Sequence, residues 1–444
     1  MGKRLILVLA LALLVGLTFS AAYAEVQNVK VSGDINILGV ARNDFNMGNS
    51  ATPKLNSRFF ATLTRVRIDA DLTDNVMTTV RLINERDWTA EDNSNTDIDL
   101  DLAYVTLKEF LYSPLTLTLG RQEINFGNSL IMGNSHNYNY TSGTGTTGSN
   151  LPVDLSERKA FDALRATLNY DPLIIDAVYA KLTNSNSITS DKSADLFGVN
   201  VSYDLTKKIN VQGYIWDKKD KTVDVTNSKR DNVYTVGALV TVKPVQDLKT
   251  SLEAAYQFGN VRNATDSTSR NAYALQAMAD YTFSKVKFTP AVGAAYTLLS
   301  GPRKGGNTTG AKAETGWSQM FYDQRLGNIA YAILPFSNLQ AIGVHASAKP
   351  VEDVTLTANL TNFRLAEGFD GTSSTPTITG LDGNAITLTD HRKDLGNELD
   401  ITGLYDYTED VQLGLTWGYF AAGKAIASSR GNASQLIGSV KVTF

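Results

Sequence analysis

The sequence predicts an all-β fold, a transmembrane antiparallel β-barrel of about 18 strands. Three observations support this fold. Stretches of about ten residues alternate apolar and polar side chains, which is the period of a strand with two unlike faces. The connections alternate strictly between short turns and long polar loops. Beyond its N-terminus, the 444-residue chain has no apolar run long enough for a transmembrane helix.

The first 24 residues have the composition of a cleaved secretory signal peptide. Lys3 and Arg4 precede a nearly unbroken apolar stretch over residues 5–19, and Ala22 and Ala24 provide the small residues that a signal peptidase requires. We expect residues 1–24 to be removed and residues 25–444 to form one barrel domain. Removal leaves a net charge of −6, because the signal holds two basic and no acidic residues. An acidic chain of this kind argues against a nucleic-acid partner.

The alternating stretches give the strand count. In residues 57–72, Val66, Ile68 and Leu72 share one face, and the charged residues between them share the other. Residues 247–258 and 271–283 repeat this pattern. Eight hairpins, with the segments 27–40 and 433–444, give 18 strands. An even number is expected when both chain termini lie on the periplasmic side.

The connections fall into two classes. Nine are long and rich in Gly, Ser, Asn and Thr, near residues 41–56, 88–98, 127–157, 184–194, 218–230, 259–270, 299–337, 366–396 and 421–432. Eight are short, near residues 73–75, 112–114, 170–172, 206–208, 243–247, 284–285, 349–353 and 408–410. Short periplasmic turns and long extracellular loops are typical of outer-membrane barrels, whereas a β-sandwich has no reason to separate them. We therefore expect the protein to lie in the outer membrane of a Gram-negative-type bacterium, with lipid around the barrel.

Aromatic residues mark the ends of the predicted strands. Five tyrosines lie at or just before short turns, where aromatic rings sit at lipid headgroups: Tyr112, Tyr170, Tyr203, Tyr281 and Tyr405. The chain ends on Phe444, on the same face of the last strand as Leu436, Val440 and Val442. This strand resembles the terminal strand of bacterial outer-membrane proteins, which the barrel-assembly machinery reads. The resemblance implies that Phe444 is a membrane-assembly signal and that this machinery is a partner.

The polar strand face is expected to line a lumen, because Arg or Lys on the lipid face near the midplane costs roughly 2 to 4 kcal/mol. Alternation places equal numbers of basic and acidic residues on it: Arg65, Arg67, Arg81, Arg165, Arg364, Lys249 and Lys441 against Asp69, Asp71, Glu85, Glu253, Asp280, Glu398 and Asp400. Guanidinium groups on neighbouring strands suit carboxylate recognition. The alternative is charge balance, in which carboxylates such as Asp69 pair with them.

Arg121 conflicts with simple alternation. It shares the parity of Leu115, Leu117 and Leu119, which would direct it toward lipid. We expect a β-bulge at Gly120 that turns Arg121 inward.

Signals of catalysis and of cofactor binding are weak. The chain has three histidines, no cysteine and no familiar hydrolase motif. Gly143, Gly145 and Gly148 match a dinucleotide-binding spacing but lie in a polar loop without a strand-to-helix context. Asp92, Asp97, Asp99 and Asp101, with Asn93 and Asn95, could bind calcium, with a solvated acidic loop as the favoured alternative. We expect no enzyme activity, no metal and no cofactor.

Three short motifs resemble the alginate-export family of outer-membrane porins. They are Gly120-Arg121-Gln122-Glu123 with Phe126-Gly127, the segment 161–165, and the segment 396–400. The resemblance implies a lumen lined by basic residues that exports an anionic polysaccharide, with Arg121 and Arg165 contacting solute. The even balance of inward charges does not favour alginate specifically.

The expected function is passive transport of hydrophilic, anionic solutes or of a saccharide polymer. The residues expected to contact solute are Arg65, Arg67, Arg81, Arg121, Arg165 and Arg364, and loop 127–157 or loop 299–337 is expected to form a constriction. The alternative is a barrel plugged by its loops that acts as an adhesin, a receptor or a structural partner-binding protein.

Overall fold

The computed structural model of the chain describes residues 28–45, 47, 56–88, 97–137, 151–183, 193–221, 231–262, 267–302, 313–369, 376–427 and 431–444. Within these residues, eighteen long strands form one closed antiparallel barrel. The predicted fold class and strand number are confirmed. None of the helices in this part of the chain is both long and apolar enough to cross a bilayer.

The first nine barrel strands are β1 (Asn28–Asn43), β2 (Ser57–Thr73), β3 (Val76–Asp87), β4 (Asp99–Leu107), β5 (Leu115–Gln122), β6 (Phe161–Asn169), β7 (Leu173–Thr183), β8 (Ala194–Thr206) and β9 (Ile209–Asp220). The other nine are β10 (Asp231–Val242), β11 (Leu248–Arg262), β12 (Ser267–Thr282), β13 (Ala291–Leu299), β15 (Leu339–Val351), β16 (Val354–Leu365), β19 (Asp394–Asp406), β20 (Val411–Ala422) and β21 (Ala433–Thr443). Short elements lie in the loops: β14 (Ala313–Glu314), β17 (Thr377–Thr379), β18 (Ala385–Thr387), helix α1 (Asn328–Ile333) and a 3-10 turn (Val153–Leu155).

Each barrel strand pairs with the barrel strands before and after it in the chain. Closure comes from β1 and β21, which place Asp34 opposite Thr443 and Asn43 opposite Ser434. Phe444 extends this pairing, since its backbone exchanges two hydrogen bonds with Gly33, of 2.8 and 3.0 Å. A closed barrel leaves no strand edge exposed to lipid.

The predicted facing holds over most of the wall. On β2, Phe60 and Ile68 are exposed on the outer surface, whereas Ala61 and Leu63 between them are buried on the inside. The five predicted girdle tyrosines lie on the short-turn side; Tyr112 and Tyr170 are in contact there, with ring centroids 6.5 Å apart. Aromatic pairs near the opposite rim include Trp88 stacked on Phe60, at 5.1 Å. The outer surface is therefore an apolar band with aromatic residues at both ends, as lipid requires.

The eight short turns lie near the positions that the sequence predicts, but two are clearly longer. The connection after β4 covers residues 108–114 rather than residues 112–114. After β12 the connection covers residues 283–290 rather than Ser284 and Lys285 alone. Phe288 and Thr289 in this turn have positive φ angles of 71° and 38°. The alternating pattern of residues 271–283 ends in an apolar residue, Phe283, and gives no sign of where pairing stops.

The main apolar core lies inside the barrel, near the end that carries the long loops. Three loop segments, named here the inner segments, fold into the lumen: residues 123–137, 151–160 and 313–338. Phe321 of the third segment packs edge-on against Phe161 of the wall, with ring centroids 5.3 Å apart. Ile329 and Ile333 of α1 are fully buried in the same core. The described parts of both loops expected to form a constriction thus enter the lumen.

Candidate functional site in the lumen

The constriction is attached to the barrel wall through helix α1. The first backbone N–H groups of a helix have no partner within the helix. Glu398 of β19 accepts hydrogen bonds from the N–H groups of Ile329, at 2.6 Å, and Ala330, at 2.8 Å. Asp400 on the same face of β19 accepts one from Asn328, at 3.2 Å. Two wall carboxylates therefore cap the helix and hold the third inner segment across the lumen.

Side-chain amides join the inner segments to each other and to the wall. Gln324 and Gln276 of β12 form a reciprocal amide pair with hydrogen bonds of 2.7 and 2.9 Å. The Gln324 amide also donates to the carbonyl of Asn128, at 2.7 Å. Thr361 of β16 donates to the carbonyl of Leu326, at 3.0 Å. These contacts fix the position of residues 324–328 relative to the strands.

A cavity of about 380 Å³, named here the lumenal cavity, lies between residues 324–328 and the inner faces of β12, β13, β15, β16 and β19. Its polar lining includes Asn128, Gln276, Asn359 and Thr361, and its charged lining comprises Arg325, Asp280 and Asp400. Small residues such as Ala295 and Gly343 leave room for a ligand. The volume and the mixed lining of the cavity suit a small solute.

Arg325 is an exposed cation on this cavity. Its Nη2 donates to the carbonyl of Asp154, at 2.8 Å, and its guanidinium lies 5.0 Å from the centre of the Tyr331 ring. Among the ion pairs formed by described residues, none involves Arg325. A guanidinium has five N–H donors, so several remain for a solute.

Four of the six candidate arginines lie on the inner wall, and each is paired with a carboxylate. Arg67 binds Asp69 through two hydrogen bonds, of 2.7 and 2.8 Å, and Arg165 binds Asp176, at 2.8 Å. The partners of Arg65 are Asp34, at 2.9 Å, and Glu157, at 2.7 Å; those of Arg81 are Asp101 and Glu123. This arrangement favours charge balance over a row of free carboxylate-binding groups.

Arg121 lies on the outer face, so the expected bulge at Gly120 is wrong. The pairing registers of β5 with β4 and with β6 continue through Gly120 without a shift. Arg121 is paired with Asp162, at 3.1 Å, and Asp162 shares the outward parity of the exposed Leu164. Both charges lie near the loop end of the strands, where the cost of a charge toward lipid falls to about 0 to 1 kcal/mol.

Arg364 also lies on the outer face, contrary to the prediction. It is exposed, whereas its neighbours Phe363 and Leu365 are buried inside against the inner segments. Near the loop end of the barrel, apolar residues cannot simply be assigned to the lipid side, because the loops bring an apolar core into the lumen. Apolar residues then pack inward and the charged residue between them is directed outward.

Burial perturbs the pKa values of several titratable groups in the loops, including His136 and Asp382. Burial, with the nearby charges of Arg158 and Arg121, lowers the pKa of His136 from 6.5 to about 4. Burial raises the pKa of Asp382 to about 6, although hydrogen bonds from Asn384 oppose this shift. His136 is therefore neutral at pH 7. Asp382 is ionised at pH 7, and its ionisation lowers the stability of the folded loop.

Three of the proposed calcium ligands lie in the described residues, and the side chains of two of them have other partners. Asp99 binds Arg158, at 2.6 Å, and Asp101 binds Arg81. The third, Asp97, accepts a hydrogen bond from Asn84 through its backbone carbonyl, at 2.9 Å. Asp92, Asn93 and Asn95 lie outside the described residues, as do Gly143, Gly145 and Gly148. Across the described ranges, no group of three or more His, Asp or Glu side chains is placed to hold a metal ion.

Sequence reasoning missed Arg325 and the capping role of Glu398. A signal for Arg325 was present in the loop. Residues 317–336 contain many large apolar side chains, including Trp317, Phe321 and Ile329, which a solvated loop would not tolerate. Such a segment must be buried inside the barrel, and the polar residues 323–325 at its centre must then face the lumen. The sequence around Glu398 contains no comparable signal of its capping role, because the capped residues lie about 70 positions away in the chain.

Comparison with known protein families decides which family the barrel represents. The profile of the family described as "Alginate export" matches residues 41–439. The chain belongs to the alginate-export family. It is an outer-membrane channel for solutes, surrounded by lipid.

Solved structures of Pseudomonas aeruginosa outer-membrane proteins share the fold. OpdL is 11% identical with a TM-score of 0.59, covering 94% of this chain and 99% of that one. OpdQ is 13% identical with a TM-score of 0.57, covering 94% and 98%. OpdK with vanillate is 10% identical with a TM-score of 0.52, covering 94% and 99%. No curated protein sequence matches the chain.

Proposed function

We propose that this alginate-export family member is a passive diffusion channel for small hydrophilic solutes that carry a carboxylate. The lumenal cavity carries this proposal. It joins amide and hydroxyl side chains to a single exposed guanidinium, Arg325, which has no carboxylate partner among the described residues. Arginine is the side chain whose donor geometry best matches a carboxylate.

The inner segments favour a small solute over a polymer. The wall and these segments share a continuous apolar core that includes Phe321, Ile329 and Phe363. A long polysaccharide would have to displace that core to cross the barrel. A cavity of about 380 Å³ is instead near the lower end of the roughly 300 to 1,000 Å³ usual for small-molecule sites. OpdK with vanillate is a precedent for a small solute in this architecture.

The charge on the wall supports weak discrimination between small ions. Each of the four candidate arginines on the inner wall is offset by a carboxylate within hydrogen-bond distance, so these four residues add little net positive charge. Selection among solutes then depends on the cavity at the constriction rather than on the whole length of the lumen.

The decisive experiment measures conduction by purified protein in planar lipid bilayers, together with swelling of liposomes in small sugars. We expect discrete conductance steps and swelling that slows as the sugar grows from one ring to several. Protein unfolded before reconstitution is the control and should give neither signal. Correctly folded protein without conductance and swelling would instead indicate a plugged barrel with an adhesive, receptor or structural role.

A further inference from the structure

We infer that the lumenal cavity binds small zwitterionic solutes, in which one carbon skeleton carries both a carboxylate and an ammonium group. This inference deepens the proposed channel function and rests on it. The observation behind it is that Arg325 and two carboxylates, none with a Lys or Arg partner among the described residues, line one cavity.

Arg325 provides the position for the carboxylate. The Asp154 carbonyl and the Tyr331 ring hold its guanidinium in place, which reduces the entropy that binding would otherwise cost. Neither contact neutralises the charge. A solute carboxylate at this position gains charge-assisted hydrogen bonds, which are stronger than neutral ones.

Asp280 and Asp400 provide the position for the ammonium. The Asp280 side chain is 48% exposed to the lumen, and the Nε2 atom of His345 lies 3.2 Å from its Oδ1. Asp400 is only 3% exposed, and its Oδ1 has no hydrogen-bond partner among the described residues. An ammonium ion with three N–H donors can bind the exposed Asp280 carboxylate, and Asp400 adds a second acidic group to the lining of the cavity.

The composition of the cavity argues against solutes with one kind of charge. A simple anion bound at Arg325 would also face two carboxylates, and a simple cation bound at Asp280 would face the guanidinium. A neutral sugar would leave all three charged groups unmatched. A zwitterion of amino-acid size places each of its charges beside a group of opposite sign.

The test compares four probes of similar size: L-serine, lactate without the amine, ethanolamine without the carboxylate, and glycerol without either charge. Each is added to full-length protein in a planar bilayer, and its dissociation constant is taken from the interruptions of the ion current. We expect L-serine to bind about tenfold or more tightly than lactate and ethanolamine, because each charged contact contributes independently. Glycerol should bind weakest.

Two variants separate the two halves of the site. Arg325→Gln should make L-serine bind no better than ethanolamine, and Asp280→Asn should make it bind no better than lactate. Arg364→Gln is the matched control, because Arg364 lies on the outer face of the wall; it should leave all four constants unchanged. Asp280 makes no hydrogen bond to the inner segments, so its replacement should leave the constriction in place.

Several outcomes would overturn the inference. Lactate binding as tightly as L-serine would indicate an anion site, and ethanolamine doing so would indicate a cation site. A conducting channel that none of the probes interrupts would reject the zwitterion site and leave the channel function standing. Loss of conductance in the unmodified protein would reject the channel function itself.

Discussion

At the scale of single residues, the candidate arginines of the inner wall are matched by carboxylates. Arg65, Arg67, Arg81 and Arg165 lie on the inside as alternation predicts, but each has its own carboxylate partner. Sequence alternation gives the face of a residue and not its partner, because pairing depends on which strands are neighbours and on which loops reach them. Glu157 and Glu123, the loop partners of Arg65 and Arg81, illustrate this dependence.

The first prediction concerns these pairs. Replacing Arg65, Arg67 and Arg165 together by Gln leaves Asp34, Asp69 and Asp176 without their cationic partners. The lumen then carries an excess of three negative charges on the wall, so the channel should shift toward cation selectivity. Reversal potentials in a salt gradient measure the shift. The single Arg364→Gln variant should show none, and unchanged selectivity in the triple variant would contradict the assignment of these residues to the conduction path.

The second prediction concerns pH. The pKa of buried His136 is lowered to about 4, so the folded loop binds fewer protons than the released loop does. The stabilisation by neutral His136 is complete above pH 6.5 and is lost as pH falls toward 4. Hydrogen exchange over residues 130–137, corrected for intrinsic rates, should therefore show less protection at pH 5 than at pH 7. His136→Gln should make the protection nearly independent of pH, and an equal loss in this variant would assign the effect elsewhere.

At the scale of elements, the constriction depends on the contact between β19 and α1. The helix has only six residues, too few to be stable by itself. Its position follows from burial of one apolar face and from the caps that Glu398 and Asp400 supply.

The third prediction tests this cap. Glu398→Ala removes the acceptors of two buried N–H groups, each costing about 1 to 3 kcal/mol when left unsatisfied. The third inner segment should detach more often, giving larger and noisier single-channel currents and faster hydrogen exchange at Ile329 and Ala330. Glu409→Ala, at an exposed turn, is the matched control and should behave like the unmodified protein. Currents unchanged by Glu398→Ala would show that the apolar face alone holds the helix.

Gly120 shows how one residue constrains a strand. Its φ angle of +122° lies in a region that other residues avoid, and a Cβ there would lie 2.2 Å from the carbonyl oxygen of Ala103. The φ angle of Gly120 is therefore unusual. The strand register is nevertheless continuous here, and the predicted β-bulge is not formed.

The fourth prediction follows from this geometry. Gly120→Ala should destabilise the barrel by about 1 to 3 kcal/mol or more, because strain and a backbone clash combine. The thermal midpoint of unfolding in detergent measures the effect. Gly438→Ala is a suitable control, since a Cβ there would meet no atom within 4 Å. Equal midpoints for the two variants would mean that the strand relaxes around the new methyl group.

At the scale of the whole molecule, the closed barrel depends on the contact between its first and last strands. Phe444 completes the pairing of β21 with β1, and its ring covers Gly33, where any side chain would clash. We propose that the barrel-assembly machinery recognises Phe444. The position of the Phe444 ring distinguishes this role from a role in stability. The ring is more than half exposed on the outer surface, so it contributes little to the core.

The fifth prediction uses this separation. Phe444→Ala should lower the amount of barrel found in the outer membrane of expressing cells, while the assembled fraction keeps its thermal midpoint. Phe283→Ala removes another exposed aromatic residue from the same rim and should not change the assembled amount. Loss of thermal stability in assembled Phe444→Ala protein would assign this residue a structural role instead.

The alternation of residues such as Val66, Ile68 and Leu72 determined that strands form, where they turn and that they close into a barrel in a membrane. This information is local, because successive side chains of a strand must point to opposite faces. The contents of the lumen were decided only by tertiary structure. Long loops return into the barrel, place Arg325 on the cavity and bury Phe363 and Leu365 inside, so that Arg364 faces outward. No local pattern encodes this reversal, because it depends on which distant segment fills the space that each strand faces.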